Sequence, residues 1–197
     1  MVIKYNAPVS LSFSIIAFIA LILSYVTGGV SNDLVFSVHS SMNASDPLSW
    51  VRLFTHVLGH ANWEHLFNNL SFLLLLGPIL EEKHGSRNVF FMILLTALVT
   101  GMLHIILSGL GVNGSGHPSL LGASGVVFMF ILLASFTNIQ SGEIPLTFVA
   151  IVTLYLTREI FVAFQPDNIS HFAHIIGGAC GGIFGFFLAG GASRKKA

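Results

Sequence analysis

The chain of 197 residues carries 8 Lys+Arg, 8 Asp+Glu and 9 His, has no formal net charge, and is 54% hydrophobic. Its charged share of 8% compares with roughly 25% in ordinary soluble domains and is too small to coat a water-facing surface. That excludes a water-soluble globular enzyme and gives no basic surface for nucleic acid, while the lone Cys180 excludes a disulfide framework and a multi-thiolate metal site.

The chain reads instead as an all-α membrane protein, one membrane domain over 1–197, with six transmembrane helices. The first is expected at about 8–27, inside the charge-free run between Lys4 and Asp33. Pro8 suits the first helical position, where a missing N–H costs nothing. The competing reading, a secretory leader with Lys4 as its basic end, is disfavoured by the length of the apolar stretch and the lack of an A-x-A-like site. From Asp33 to about Ala61 the chain mixes Ser, Asn, Asp and Pro with Trp50, Leu53 and Phe54. This segment is expected to be an interfacial loop with short amphipathic helices, the alternative being a plain solvated loop.

A second span is expected at about 63–80, followed by a short aqueous turn from Glu81 to Arg87. The charge-free stretch from Asn88 to Gly142 is long enough for two spans, at about 89–107 and 122–136. They are separated by a Gly- and Pro-rich break over 108–119 that cannot continue a helix. A fifth span is expected at about 144–164 and a sixth at about 170–188. With both termini in the cytoplasm, Lys4, Lys83, Arg87, Arg194, Lys195 and Lys196 all fall inside, as the bias of basic residues toward that side requires.

Polar groups within spans are costly and are therefore candidates for function. Three clusters share the outer level of this topology: His60, His65 and Asn69 at the start of span two, Ser124 at the start of span four, and His171 and His174 at the start of span six. A serine at a helix start is commonly an N-cap. Here Gly122 and Gly125 leave room for a substrate carbonyl, and the helix N-terminus supplies free N–H groups where an oxyanion would form. Val126 stands where a G-x-S-x-G elbow needs its last glycine, so a soluble α/β-hydrolase is not supported. His174 is the natural base for Ser124, since imidazole titrates near neutral pH. Gly177 and Gly181, four residues apart, provide a small-residue face along which span six can approach span four; generic helix packing is the competing use. His65 and Asn69 are i and i+4, project from one helix face, and can both donate toward a developing oxyanion. Tying the outer loop to span two is their alternative role, and His60 is assigned that structural role by preference. Asp167 and Glu159 are the only nearby acids, so a Ser–His dyad is simpler than a triad.

Together His60, His65 and Asn69, then Gly122-Ala123-Ser124-Gly125, then His174 with Gly177 and Gly181, resemble the signature of rhomboid intramembrane serine proteases over roughly 52–188. The resemblance implies a six-helix rhomboid-like core with an interfacial first loop and a water-filled cavity open to the outside. Ser124 would be the nucleophile and His174 the general base, with His65, Asn69 and the Ser124 N–H as the oxyanion hole and His60 nearby. The segment around 164–170 would cap the site. Substrates would be transmembrane segments of other proteins, held in the lipid bilayer and cut near its outer boundary where helix-destabilising residues let the strand open, with no metal or organic cofactor. Two positions depart from the family pattern: Phe128 stands where a tyrosine usually supports the histidine, and Val51 separates Trp50 from Arg52. Compactness and the lack of a transit peptide or added cytoplasmic domain point to a minimal form in a prokaryotic plasma membrane.

Two other functions compete. A metal-ion or proton transporter is suggested by the histidines, with His56/His60 and His171/His174 at metal-sharing spacings; the lack of a mid-span Asp or Glu weighs against it, and the lack of H-E-x-x-H disfavours a zinc intramembrane protease. An inactive rhomboid-like protein that binds membrane proteins is the second, against which both Ser124 and His174 are present. No motif specifies the substrate or the oligomeric state.

Overall fold

The structure, a computed structural model, describes residues 4–111, 119–136, 146, 149–150, 153–154, 157, 175–184 and 187. Helix α1 (Pro8–Val26) opens with Pro8 in its first turn and closes at Thr27, followed by Gly28 and Gly29 at positive φ. Its buried face is small or polar: Ser10, Ser14, Ala17, Ala20 and Ser24 line it beside Phe13 and Leu21. Its exposed face is apolar, with Ile15, Ile16, Phe18, Ile19, Ile22, Leu23 and Val26. A helix in water has the opposite arrangement. Small residues toward protein and large apolar ones outward suit a helix whose solvent is lipid.

The segment expected to be interfacial folds into short elements: α2 (Val30–Val35), β1 (Val38–His39), α3 (Pro47–Thr55) and a single 3-10 turn (His56–Leu58). Asp46 caps α3 by accepting from the Leu48 N–H at 3.1 Å. Arg52 donates from Nε to the Leu34 carbonyl (2.8 Å) and pairs with Asp46 (3.5 Å), while Trp50 donates to the Ala44 carbonyl (3.1 Å). The separated Trp50 and Arg52 thus still stitch the loop to itself. Thr55 donates to the Val35 carbonyl and closes α3 onto α2.

Helix α4 (Trp63–His84) and helix α5 (Ser86–Gly109) follow with only Gly85, at φ +82°, between them. The aqueous turn expected from Glu81 to Arg87 is therefore replaced by helix. The reason is Glu81, which is buried and spends its carboxylate on the start of α1. It accepts from the Val9 N–H (3.2 Å), the Ser10 N–H (2.7 Å) and the Ser10 hydroxyl (2.6 Å). Those backbone donors have no partner inside α1, and a carboxylate from another helix supplies it. At the other end of α1 and α4, Trp63 stacks on Tyr25 (5.8 Å) and Phe67 (5.8 Å) and lies 5.5 Å from Phe18, an aromatic group of the kind found at a membrane boundary.

Strand β2 (Ser119–Leu120) pairs antiparallel with β1, Val38 opposite Leu120 and His39 opposite Ser119. Helix α6 (Ser124–Phe136) then runs through the middle of the core, where Met129, Phe130 and Leu133 pack with Leu66, Leu73, Ile93 and Ala97. The helical segment Ile175–Phe184 lies directly on α6. A Cβ on Gly177 would run into the backbone of Gly125, and one on Gly181 into the backbone of Met129.

Among the described residues, two helices are long and apolar enough to cross a membrane, Pro8–Val26 and Ser86–Gly109. Helix α4 has 22 residues but carries Glu64 near one end and Glu81, Glu82 and Lys83 near the other. The expected fifth span falls almost wholly outside the described residues, with helical positions at 146, 149–150, 153–154 and 157. The expected sixth is described over 175–184 and at 187.

Candidate active site

Asn62 starts α4 by accepting from the His65 N–H at 2.8 Å. This fixes the helical phase, so His65 sits in the first turn and Asn69 one turn later on the same face. The Asn69 side chain is buried, at 6% exposure, and its Nδ2 has no hydrogen-bond partner among the described residues. A buried amide donor without an acceptor costs about 1–3 kcal/mol, so its retention calls for a use.

The His65 ring rests on Gly122. A Cβ at Gly122 would lie 2.6 Å and 2.7 Å from the ring's Cε1 and Nε2, and Gly122 itself sits at φ +121°, where L side chains are strained. Its N–H donates to the His56 carbonyl at 2.9 Å. Ala123 follows; its carbonyl accepts from the Val127 N–H (2.9 Å) and so opens α6. Ser124 is therefore the first residue within the helix and not its N-cap. It is half-buried at the end of α6 that carries the positive dipole.

His60 is buried between these parts. Its Nδ1 faces the Leu58 carbonyl at 3.2 Å and its Nε2 receives a long bond from the Ala123 N–H at 3.5 Å. The pair of partners assigns the proton to Nδ1 and leaves Nε2 as acceptor. Burial, helped by the neighbouring His65, pushes the His60 imidazole down to about 4, which keeps it neutral and able to accept. Its ring meets that of His65 edge-on, centroids 5.0 Å apart, and its carbonyl accepts from Asn32 Nδ2 at 3.0 Å. His56 is buried as well and points elsewhere: Nδ1 faces the Arg52 carbonyl (3.1 Å) and Nε2 lies 3.4 Å from the Thr100 hydroxyl. Burial, with His104 nearby, lowers it to about 4. The metal-sharing spacing of His56 and His60 presumed a helix between them. The helix ends before His60, because Gly59 is extended.

Gly125 and Phe128 continue the site along α6. Gly125 is the surface on which Gly177 rests, and buried Phe128 lies beside Gly178, whose Cβ would meet its ring at 3.6 Å. His174 and His171 lie outside the described residues, as do Asp167, Glu159 and the segment 164–170. The structure thus brings His60, His65 and Gly122 to one corner beside Ser124, where α4 meets the start of α6, with Asn69 buried one helical turn further along α4. Two participants carried no signal in sequence: Asn32, one polar residue in a polar loop, and the His56 carbonyl, a backbone group.

Comparison with known proteins places this corner in context. A family model described as Rhomboid domain matches residues 47–191. The chain is 24% identical over 162 residues to rhomboid protease GlpG of Haemophilus influenzae, the match covering 80% of each chain. It is 31% identical over 143 residues to YdcA of Bacillus subtilis, covering 71% of this chain and 67% of that one. It is also 25% identical over 155 residues to rhomboid-like protein 11, chloroplastic, of Arabidopsis thaliana. That match covers 72% of this chain and about half, 53%, of the plant protein.

Proposed function

The chain belongs to the rhomboid family of integral membrane proteins, and from that premise we propose that it is an intramembrane serine endopeptidase. Ser124 is the nucleophile and His174 the general base. The Ser124 oxygen attacks a peptide carbonyl while its proton passes to His174. The carbonyl oxygen becomes an oxyanion held by Asn69 Nδ2, the His65 ring N–H and the Ser124 backbone N–H. Collapse of this intermediate breaks the C–N bond, and His174 returns the proton to the departing amine. Water, deprotonated by His174, then cleaves the acyl-serine and releases the second fragment. No metal or organic cofactor takes part.

The observation that supports this reading best is the buried Asn69 amide, without an acceptor among the described residues, one helical turn from a histidine seated on the turn into Ser124. Gly177 resting on Gly125 supports the choice of base, because His174 precedes Gly177 by three residues in a sequence that approaches α6 to backbone contact. The substrates are transmembrane segments of other proteins. The chain has six spans with cytoplasmic termini, lies in a prokaryotic plasma membrane, and opens its site to the outer side.

Labelling with a fluorophosphonate probe in liposomes tests the assignment. The parent chain labels at Ser124, Ser124→Ala does not, and His174→Ala falls to near background. Labelling that survives Ser124→Ala overturns Ser124 as the nucleophile, and a parent chain that never labels overturns the proposal and leaves an inactive binder of membrane proteins as the better reading.

A further inference from the structure

An apolar groove of about 400 Å³ lies between α1, α5, the end of α3 and the 3-10 turn of the first loop. Ile16, Phe54, Val57, Phe90, Ile93 and Leu94 are among the residues lining it, and Ser12 is its one polar side chain. It opens sideways: Ile16, Phe54 and Phe90 on its walls are exposed. It runs toward the ends of α1 and α5 at Pro8 and Phe90, where the chain turns basic. Lys4 precedes Pro8 by four residues, and Arg87 lies one turn before Phe90, its guanidinium over the Phe91 ring at 5.7 Å. Both basic residues are exposed. Tyr5, also exposed, folds back to hydrogen-bond Ser12 at 2.9 Å. The same end also carries Glu81, whose carboxylate caps Val9 and Ser10, and Glu82, exposed on α4; against them stand Lys4, Lys83 and Arg87, which leaves this end one positive charge in excess.

We propose that this groove binds one acyl chain of an anionic phospholipid, whose phosphate is held at the Lys4–Arg87 end. The inference rests on the membrane-spanning reading of α1 and α5 and is independent of the chemistry at Ser124. Three features select the occupant. The walls are hydrocarbon and face the side where lipid would be. The groove's volume of about 400 Å³ is too small to seat a partner helix, which with side chains is about 10–12 Å across. The open end carries two cations and a phenol at the level of the headgroups, the pattern that attracts acidic lipids. A zwitterionic lipid would satisfy the groove but make no use of its basic end.

The test uses the full chain with Trp50→Phe, Trp63→Phe and Phe90→Trp, so that the new indole is the single one, reconstituted in phosphatidylcholine vesicles containing a minor share of phosphatidylglycerol. Bromine is placed on the acyl chains of one lipid or the other. Bromine on phosphatidylglycerol should quench the new indole well beyond its mole share, with enrichment of up to about thirtyfold, the limit set by two basic side chains at a membrane surface. Adding Lys4→Gln and Arg87→Gln should return quenching to the mole share. Quenching that follows mole share in the Phe90→Trp chain overturns the proposal. A second measurement needs no reporter: native mass spectrometry of the parent chain in mild detergent should retain phosphatidylglycerol, and Leu94→Trp, which fills the groove, should lose it. Equal retention by both overturns the proposal too. Fluorophosphonate labelling of Ser124 is read on the same vesicles. A labelled chain without lipid enrichment sinks the lipid site alone, and enrichment without labelling sinks the protease alone.

Discussion

At the scale of single residues, Asn69 separates architecture from chemistry. Its amide is buried with Nδ2 unpartnered among the described residues, so it contributes little to holding the fold. Asn69→Ala is expected to leave the unfolding temperature in mild detergent within a few degrees of the parent and to lower the rate of peptide cleavage by about 10²–10³, the usual cost of one oxyanion donor. A large fall in stability with cleavage intact would make Asn69 structural. The two buried histidines behave in the opposite way. His56 and His60 titrate near 4 in the folded chain, against an ordinary value of 6.5. Between those values the unfolded chain binds more protons. Their contribution is therefore complete above about 6.5 and is lost as the pH falls toward 4, at up to about 1.4 kcal/mol per pH unit for each group. The melting temperature of Ser124→Ala should drop across that window, and the drop should be shallower in Ser124→Ala with His56→Gln. Equal slopes would remove His56 from the account. Ser124, His65, Asn69 and Gly122 could be singled out as candidates in sequence because polar groups and glycines gathered at the start of an expected span depart from the apolar pattern of the rest of that span. The assignment of His60 as a structural residue finds a physical reason in the Ala123 N–H on its ring. Ser124 was not legible as the first helical residue, because the cap is the Ala123 carbonyl and any residue has a carbonyl.

At the scale of elements, charge-free runs located α1, α5 and α6 to within a few residues. The same rule misread the end of α4. A cluster of Glu, Glu, Lys and His looks like a water-exposed turn unless one knows that α1 begins next to it. Glu81 is spoken for by donors more than seventy positions away, and no local pattern reveals that. Its loss strands two backbone N–H groups and a hydroxyl at a buried helix start. Glu81→Ala should lower stability by about 2–4 kcal/mol, since each hydrogen bond to a charged acceptor contributes about 1.5–3 kcal/mol and water can replace part of the set. Thermal unfolding in mild detergent measures this, and Glu81→Gln should recover part of it. A change below about 0.5 kcal/mol would show the capping to be idle. The paired strands β1 and β2 were equally hidden, being two residues each with no alternation long enough to read. The small-residue face at Gly177 and Gly181 was visible in sequence; its partner on α6 became definite only once Gly125 and Met129 were seen beneath it.

At the scale of the whole molecule, the serine turn is built from pieces that come from far apart in the chain. Its Gly122 N–H goes to the His56 carbonyl, its Ala123 N–H to the His60 ring, and the strand just before it to Val38 and His39. Each of those partners belongs to the segment read as lying at the boundary between lipid and water. The lever this creates is mechanical. A hydrocarbon slab that grows or shrinks by a few ångströms must lift or lower that boundary segment relative to the upright helices, and the serine turn is fastened to it by two hydrogen bonds and a short strand pairing. Turnover should therefore vary with acyl length in a single-lipid vesicle series, peaking at one thickness, while a short soluble peptide ester probing only the serine should respond to the same series in parallel. If the ester is indifferent to thickness and only the membrane-borne substrate responds, the fastening transmits nothing and the dependence lies in how substrate is delivered.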